Sequence, residues 1–313
     1  MKRHHALGLI ASAAVVPAAS SPLFAQSVAS LKVATTPIDG GAQPFYATDM
    51  GFFKANALDV TTQLITNGAA TTAAVLGGAV DVAQANLVSL ALAHQRGLDV
   101  VVIAPASLYS SKEPNAALVV AKTSPYQTAK DLNGQVIAVN GLQNISQIGP
   151  EAWLDKNGGN LSSYKWTDMP FTDMIAAINS GHVAAALIAE PVLSDALANG
   201  SRVLGYPYDA IAPTFLVSGW FTTGGWAKKN PAVVKRFQKA MVTTAMWANK
   251  NHAQSALILS KDTKITVTPG MKRSAYGEKL DPALMQPLID VTVKYGALKS
   301  SFPAIELIAP ETR

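Results

Sequence analysis

From Leu31 onward the chain alternates short apolar runs with helical segments, and it does so twice over, which restricts the fold more than any single motif. The first set reads LKVAT, a helical stretch at 44–54, LDVTTQLI, a helix after Asn67, VDVAQA, a helix at 87–96 and DVVVIA. The second reads AALVVA, a capped helix at Thr128, QVIAV, a helix at 146–156, YKWTDM, a helix at 172–180 and AAALIA. Strands that are apolar on both faces and separated by helices form mostly parallel sheets covered by helices. The expectation is therefore an α/β fold with two such sheets. After FLVSGWFTT the pattern changes to helical packing, with helices at 231–249, 254–260 and 282–295. Asp281 before Pro282 is a helix start, because the carboxylate caps orphan amides and proline suits the first turn. Gly97 and Gly296 are helix stops, because glycine takes the left-handed conformation without a Cβ penalty.

The first 25 residues have the order of a secretory leader: Lys2 and Arg3, an apolar run from Ala6 to Ala19, then Pro22, Leu23, Phe24 and Ala25 before Gln26. Cleavage is expected after Ala25, since the run is shorter than the roughly 20 residues of a membrane span. There is no cysteine for a lipid anchor or a disulfide. The formal charge of +5 falls by two when Lys2 and Arg3 leave, and the lysines do not cluster with aromatics, so no nucleic-acid partner is expected. With 49% hydrophobic and 14% charged residues, 313 residues suffice for two domains.

The run NGAATTAAVLGGAVDVAQAN, from Asn67 to Asn86, compresses a loop, a helix, a turn and a buried strand. Amides at such a helix start lack intrahelical partners and carry partial positive charge, so they suit an anion or a carbonyl oxygen. In open α/β sheets the C-terminal strand edge is where ligands bind. For Asn67 and Asn86 the competing reading is that each merely caps a turn.

The segments PFYATDMGFFKANALDV, NGAATTAAVLGGAVDVAQAN, KDLNGQVIAV, MIAAINSGHVAAALIAEP and KKNPAVVKRFQKA, taken in order, cover nearly all the mature chain. Together they resemble the periplasmic binding proteins of ABC importers for nitrate, sulfonates, taurine and thiamine-pyrimidine precursors, the NMT1/THI5-like, sulfonate-binding type. The resemblance implies a two-lobed periplasmic binding protein fold of type II, with a ligand held between lobes that close about a hinge of two crossovers. From the strand pattern these fall near 107–112 and 217–222. The expected division is a signal peptide at 1–25, a discontinuous first lobe at 26–108 and 218–313, and a second lobe at 109–217. The resemblance also implies a monomer in the periplasm that binds a small molecule without a cofactor. Its partners would be the permease, contacted directly, and the ATPase subunit, with the membrane approached only through the permease. A ligand-sensing subunit for a membrane receptor or sensor kinase is the alternative role.

If the strand ends of both lobes face one cleft, their loops nominate Asp39, Gly41, Gln43, Asn67, Gly68, Asn86 and Tyr109 from one side. The other side nominates Asn140, Asn144, Ser146, Phe171, Asp173 and Glu190, and the return crossing brings Ser218 and Trp220. Ser146 reads equally as a helix cap, Glu190 as a tie between loops, and Tyr109 and Trp220 as hinge packing. These loops contain no arginine or lysine, so an anion would rely on amides, hydroxyls and helix N-termini, opposed by Asp39, Asp173 and Glu190. Two ligand classes stay open: a small anion of the sulfonate or nitrate kind, from the resemblance, and a neutral or amine-bearing heterocycle such as a pyrimidine, from the acids and aromatics. Catalysis is not expected, because the chain has no GxSxG elbow, HExxH helix, P-loop or GxGxxG fingerprint, and His94, His182 and His252 lie far apart. Related pyrimidine synthases use a cysteine-rich motif that is missing here.

Overall fold

The computed structural model describes Met1, residues 27–263 and residues 266–313. The expected leader, with its cleavage site after Ala25, lies outside the described residues. The first βα set comprises β1 (Ala29–Thr35), α1 (Gln43–Asp49), α2 (Phe52–Ala55), β2 (Leu58–Leu64), α3 (Gly68–Leu76), β3 (Val82–Asn86), α4 (Leu87–Gln95) and β4 (Val101–Pro105). A connecting strand, β5 (Ser107–Ser110), leads into β6 (Ala116–Val120), β7 (Val136–Val139), α5 (Ile145–Lys156), β8 (Lys165–Asp168), α6 (Phe171–Asn179), β9 (Ala185–Ala189), α7 (Val192–Ala198) and β10 (Arg202–Gly205). The chain returns through β11 (Thr214–Leu216) and β12 (Ser218–Thr222). It ends in α8 (Gly224–Lys229), α9 (Pro231–Ala248), α10 (His252–Thr263), β13 (Ala275–Tyr276) and α11 (Pro282–Lys294).

The strands form two five-stranded sheets, ordered β2-β1-β3-β12-β4 and β10-β6-β9-β7-β8, and a three-stranded sheet β11-β5-β13. The two larger sheets are mostly parallel, as the alternation predicts. In each, four strands run one way. The strand that enters from a connection, β12 or β6, runs the other way between its neighbours. The two connections lie side by side: β11 pairs antiparallel with β5, Phe215 opposite Tyr109. The return crossing thus comes earlier than 217–222. Ser218–Thr222 is an inner strand of the first sheet, paired on both edges to β3 and β4.

Local sequence explains most boundaries. The helical stretch at 44–54 is split by Gly51, whose φ of 70° ends α1 before α2 begins. The helix expected at Thr128 is only a 3-10 turn, Ala129–Leu132, because the Thr128–Asp131 capping box is followed at once by Asn133 and Gly134. Asp281 caps α11 by accepting from the Ala283 amide. Among the described residues no helix is long and apolar enough to cross a membrane.

The core follows the sheets. Val33, Val82, Ile103 and Trp220 of the first sheet pack on Val234, Phe237 and Met241 of α9, where a three-and-four spacing makes one apolar stripe. Burial of each large side chain there is worth about 1.5–3 kcal/mol. In the second sheet Ala138 and Ile188 pack on Met174 and Ile178 of α6, and Leu118 and Ile137 pack on Leu154 of α5. Met285, Leu288 and Ile289 of α11 join a cluster with Leu87 and Leu90 of α4, Phe215 of β11 and Ile148 of α5.

Candidate functional site

Parallel strands deliver their C-terminal loops to one edge, and here the edges of the two large sheets face one another across a cavity of about 510 Å3. From the first sheet the lining comes from Thr36 and Gly40 after β1, Thr66, Asn67 and Gly68 after β2, and Asn86 at the end of β3. From the second it comes from Asn140, Asn144 and Ser146 after β7, Phe171 after β8, and Glu190 and Asp195 after β9. Ser107, Asn115, Val217 and Ser218 from the connections and Ser274 from the tail complete much of the wall. The volume suits a small organic solute.

The expected amides both cap helices and line this cavity. Asn67 sits in extended conformation and its Oδ1 accepts from the Ala70 amide at 3.0 Å. Asn86 Oδ1 accepts from the Ser89 amide at 2.9 Å, while its Nδ2 donates to Ser89 Oγ. Asn144, not Ser146, is the cap of α5: its Oδ1 accepts from the Ser146 amide at 2.8 Å and from Ser146 Oγ at 2.6 Å. Capping uses the oxygens, so the Nδ2 groups of Asn67 and Asn144 have no hydrogen-bond partner among the described residues. Gly68 sits close to its neighbours: a Cβ there would meet Asn86 Nδ2 at 3.0 Å, so that side chain would have to give way.

A buried polar chain forms part of the floor. Gln84 Nε2 donates to the Gly40 carbonyl and to Ser218 Oγ, its Oε1 accepts from Thr36, and Ser218 Oγ lies 2.7 Å from Ser107 Oγ. Glu190 is 3% exposed, and its two carboxylate oxygens accept from the Ser194 amide at 3.0 Å and the Ser194 hydroxyl at 2.9 Å. Its carbonyl accepts from the Asp39 amide at 3.2 Å, which ties the loop after β9 to the loop after β1. A second tie runs from Asn115 Nδ2 to Ser274 Oγ at 2.8 Å.

Burial pushes the Glu190 carboxyl above its ordinary range, against the hydrogen bonds from Ser194 and the Lys272 backbone, and the nearby Asp39 charge adds to the rise. An acid whose folded pKa is raised binds its proton more tightly in the folded state, so stability falls as pH rises from the ordinary carboxylate range through the raised value. Glu190→Gln is expected to remove that part of the fall. Chemical denaturation of both proteins between pH 4 and 8 checks it; parallel curves would contradict the expectation.

Six nominated residues lie outside the lining. Asp39 is buried behind it, paired with Arg273 Nη2 at 2.8 Å. The Gly41 carbonyl accepts from Thr35 Oγ1, and a Cβ at Gly41 would clash with the Thr36 carbonyl. Gln43 Oε1 accepts from Trp220 Nε1 at 2.9 Å, and the fully buried Trp220 ring packs edge-on against Phe237. Tyr109 donates to Asp209 at 2.7 Å and packs between Tyr208 and Phe215; burial and that hydrogen bond push its hydroxyl pKa up. Asp173 is exposed on the first turn of α6, accepting from Thr172.

The lining residues that sequence reasoning missed include Asn115, Asp195 and Tyr208. Asn115 precedes β6, an inner antiparallel strand, so its beginning and not its end faces the cavity. Ser218 of β12 obeys the same rule, and it is the return crossing that nominates it. A rule based on strand ends passes over such positions.

No curated protein matches the sequence. Solved structures match the fold. The periplasmic aliphatic sulphonate binding protein SsuA from Escherichia coli superposes with a TM-score of 0.71 at 19% identity, covering 89% of this chain and 91% of that one. The alkanesulfonate-binding protein SsuA from Xanthomonas axonopodis pv. citri, bound to MOPS, gives 0.70 at 16% identity, with 92% and 97% covered. The periplasmic nitrate-binding protein NrtA from Synechocystis PCC 6803 gives 0.72 at 13% identity, with 91% and 86% covered. At these identities the likeness shows the shared periplasmic binding protein fold. The family model described as NMT1/THI5 like matches residues 42–255, well over half of the chain. The chain belongs to the NMT1/THI5-like family.

Proposed function

We propose that the protein is the solute-binding component of an ABC importer. Exported to the periplasm with its leader removed after Ala25, it captures a small molecule in the cavity between its two sheets. It then presents the closed form to the permease. It acts as a monomer, by binding and without catalysis or cofactor. The first lobe comprises 26–108 with the return from 218 onward, and the second lobe 109–217. One observation carries the reading: the cavity walls come from strand-end loops of both sheets, while the β5 and β11 connections between those sheets run together as one narrow ribbon. Bending there opens the cavity while α4, α5 and α11 shift across the apolar cluster they share with β11. The sulfonate- and nitrate-binding structures that share the fold support the same role.

The test is native mass spectrometry of the purified mature chain, followed by a melting screen against small solutes. A true ligand at a hundred times its dissociation constant adds about 2.7 kcal/mol. At roughly 2 °C per kcal/mol for a chain of this size, the melting temperature should rise by about 5 °C. If no solute is carried over and none shifts the transition, the reading fails.

A further inference from the structure

The contacts that join the two lobes go further and name what sets their closure, resting on the solute-binding reading above. They converge on one short segment, residues 272–274, which enters β13 beside the connecting strand β5, where Ala275 pairs with Leu108. Its side chains alternate, as successive side chains of a strand do. Arg273 turns into the first lobe, donating to the buried Asp39 and to the His252 carbonyl. Lys272 and Ser274 turn to the second: Lys272 Nζ lies 2.9 Å from Glu113 Oε2, and Ser274 Oγ accepts from Asn115 Nδ2 at 2.8 Å.

The second-lobe partners form one unit with their sheet. Asn115 leads into β6, and its carbonyl accepts at 3.0 Å from the amide of Glu190, the residue after β9. The Lys272 backbone hydrogen-bonds the Glu190 carboxylate, and the Asp39 amide donates to the Glu190 carbonyl at 3.2 Å. The segment is thus anchored in one lobe by a buried ion pair and tied to the other by the residues on both sides of that anchor. Bending of β5 and β11 carries Glu113, Asn115 and Glu190 away from these partners. Lys294 and Tyr295 also reach Asp155 of α5, an exposed contact away from the cavity lining.

We propose that residues 272–274 are the closure latch of this protein: Lys272 and Ser274 hold Glu113, Asn115 and Glu190 in the closed form and release them in the open one. Each of these bonds joins protein to protein, so the latch favours closure whether or not a solute is bound. It thereby sets how much of the chain is closed beforehand, and apparent affinity scales with that fraction. Lys272 and Glu113 are positioning residues, since among the described residues neither lines the cavity.

The chain has no cysteine, so a pair introduced on its surface takes spin labels at those two places alone. Gln63→Cys in β2 and Asp168→Cys in β8 put labels on outermost strands of the two sheets, at exposed positions outside the lining. The experiment is double electron–electron resonance on the labelled mature chain, after dialysis in mild denaturant has removed any carried-over solute. The parent should show a short and a long distance. Lys272→Glu sets two carboxylates against each other and should lower the ratio of short to long about fivefold, near the upper limit for an exposed pair. Adding Glu113→Lys exchanges the charges and should restore the ratio to within about twofold. A general structural lesion would not be repaired by that exchange.

A parent with the long distance alone overturns the latch. So does a short distance that Lys272→Glu leaves unchanged, or a loss that the exchange does not repair. Each of these leaves the solute-binding function standing, because the labels report the angle between the lobes and not binding. That function stands or falls by the melting screen.

Discussion

Replacing Arg273 with methionine is expected to lower stability by about 3–5 kcal/mol, the usual cost of leaving one member of a buried ion pair alone. Arg273 is 8% exposed and Asp39 1% exposed at the side chain, so water cannot replace the lost partner. Asp39 would keep the Ser274 amide and a long contact from the Tyr46 hydroxyl at 3.5 Å, while Tyr46 loses the guanidinium that donates to it at 2.7 Å. Burial works against the guanidinium's charge, and the hydrogen bonds and charge of Asp39 more than offset it, so the group stays protonated above its ordinary range. The melting temperature should fall by about 6–10 °C at roughly 2 °C per kcal/mol. Solute affinity should fall with it, because Gly40 and Ser274, the neighbours of this pair in sequence, line the cavity. A double variant, Asp39→Leu with Arg273→Met, leaves no orphaned charge and should lose less than the two single losses added together. A loss below about 1 kcal/mol for Arg273→Met would show that the pair does not hold this loop as described.

Trp220→Ala should be comparably severe, about 3–5 kcal/mol, since a fully buried indole leaves a cavity between β12 and α9 that the surrounding sheet cannot close. Trp220→Phe separates the two contributions. Most of the ring packing on Phe237 survives, but Gln43, itself fully buried, loses the donor to its Oε1, for a cost of about 1–3 kcal/mol. Because the indole lies outside the cavity lining, the folded phenylalanine variant should bind solute within about twofold of the parent, a change of under half a kcal/mol. Equilibrium denaturation together with calorimetry on the folded protein decides this. Lost binding at unchanged stability would return the ring to the cavity wall.

These two sites also mark where reading the chain alone runs out. Strand and helix order was legible because apolar runs and helical stretches alternate locally, and because caps such as Asp281 and stops such as Gly296 act within a few residues of themselves. The loops after β2, β7 and β9 were legible for the same reason: in a parallel sheet the loop after a strand must lie at the ligand edge. Asn67, Asn86, Asn140, Asn144, Ser146, Phe171 and Glu190 line the cavity in the structure through that rule alone.

The rule says nothing of which residues in a loop turn outward. Asp39 follows β1 as Gly40 does, yet its carboxylate turns away from the cavity to a partner 234 residues along the chain, and nothing local announces that pairing. Trp220 lies in a run whose two faces are both buried, so only its pairing between β3 and β4 decides that the indole meets α9 and not a solute. What the sequence by itself determined is the order of elements and the edge at which a site must form, since those follow from periodicity and chain direction. Only the tertiary structure decided which polar groups face one another and which are left for a solute, because buried charges and amides find partners by proximity in space. That proximity is what pairs Arg273 with Asp39.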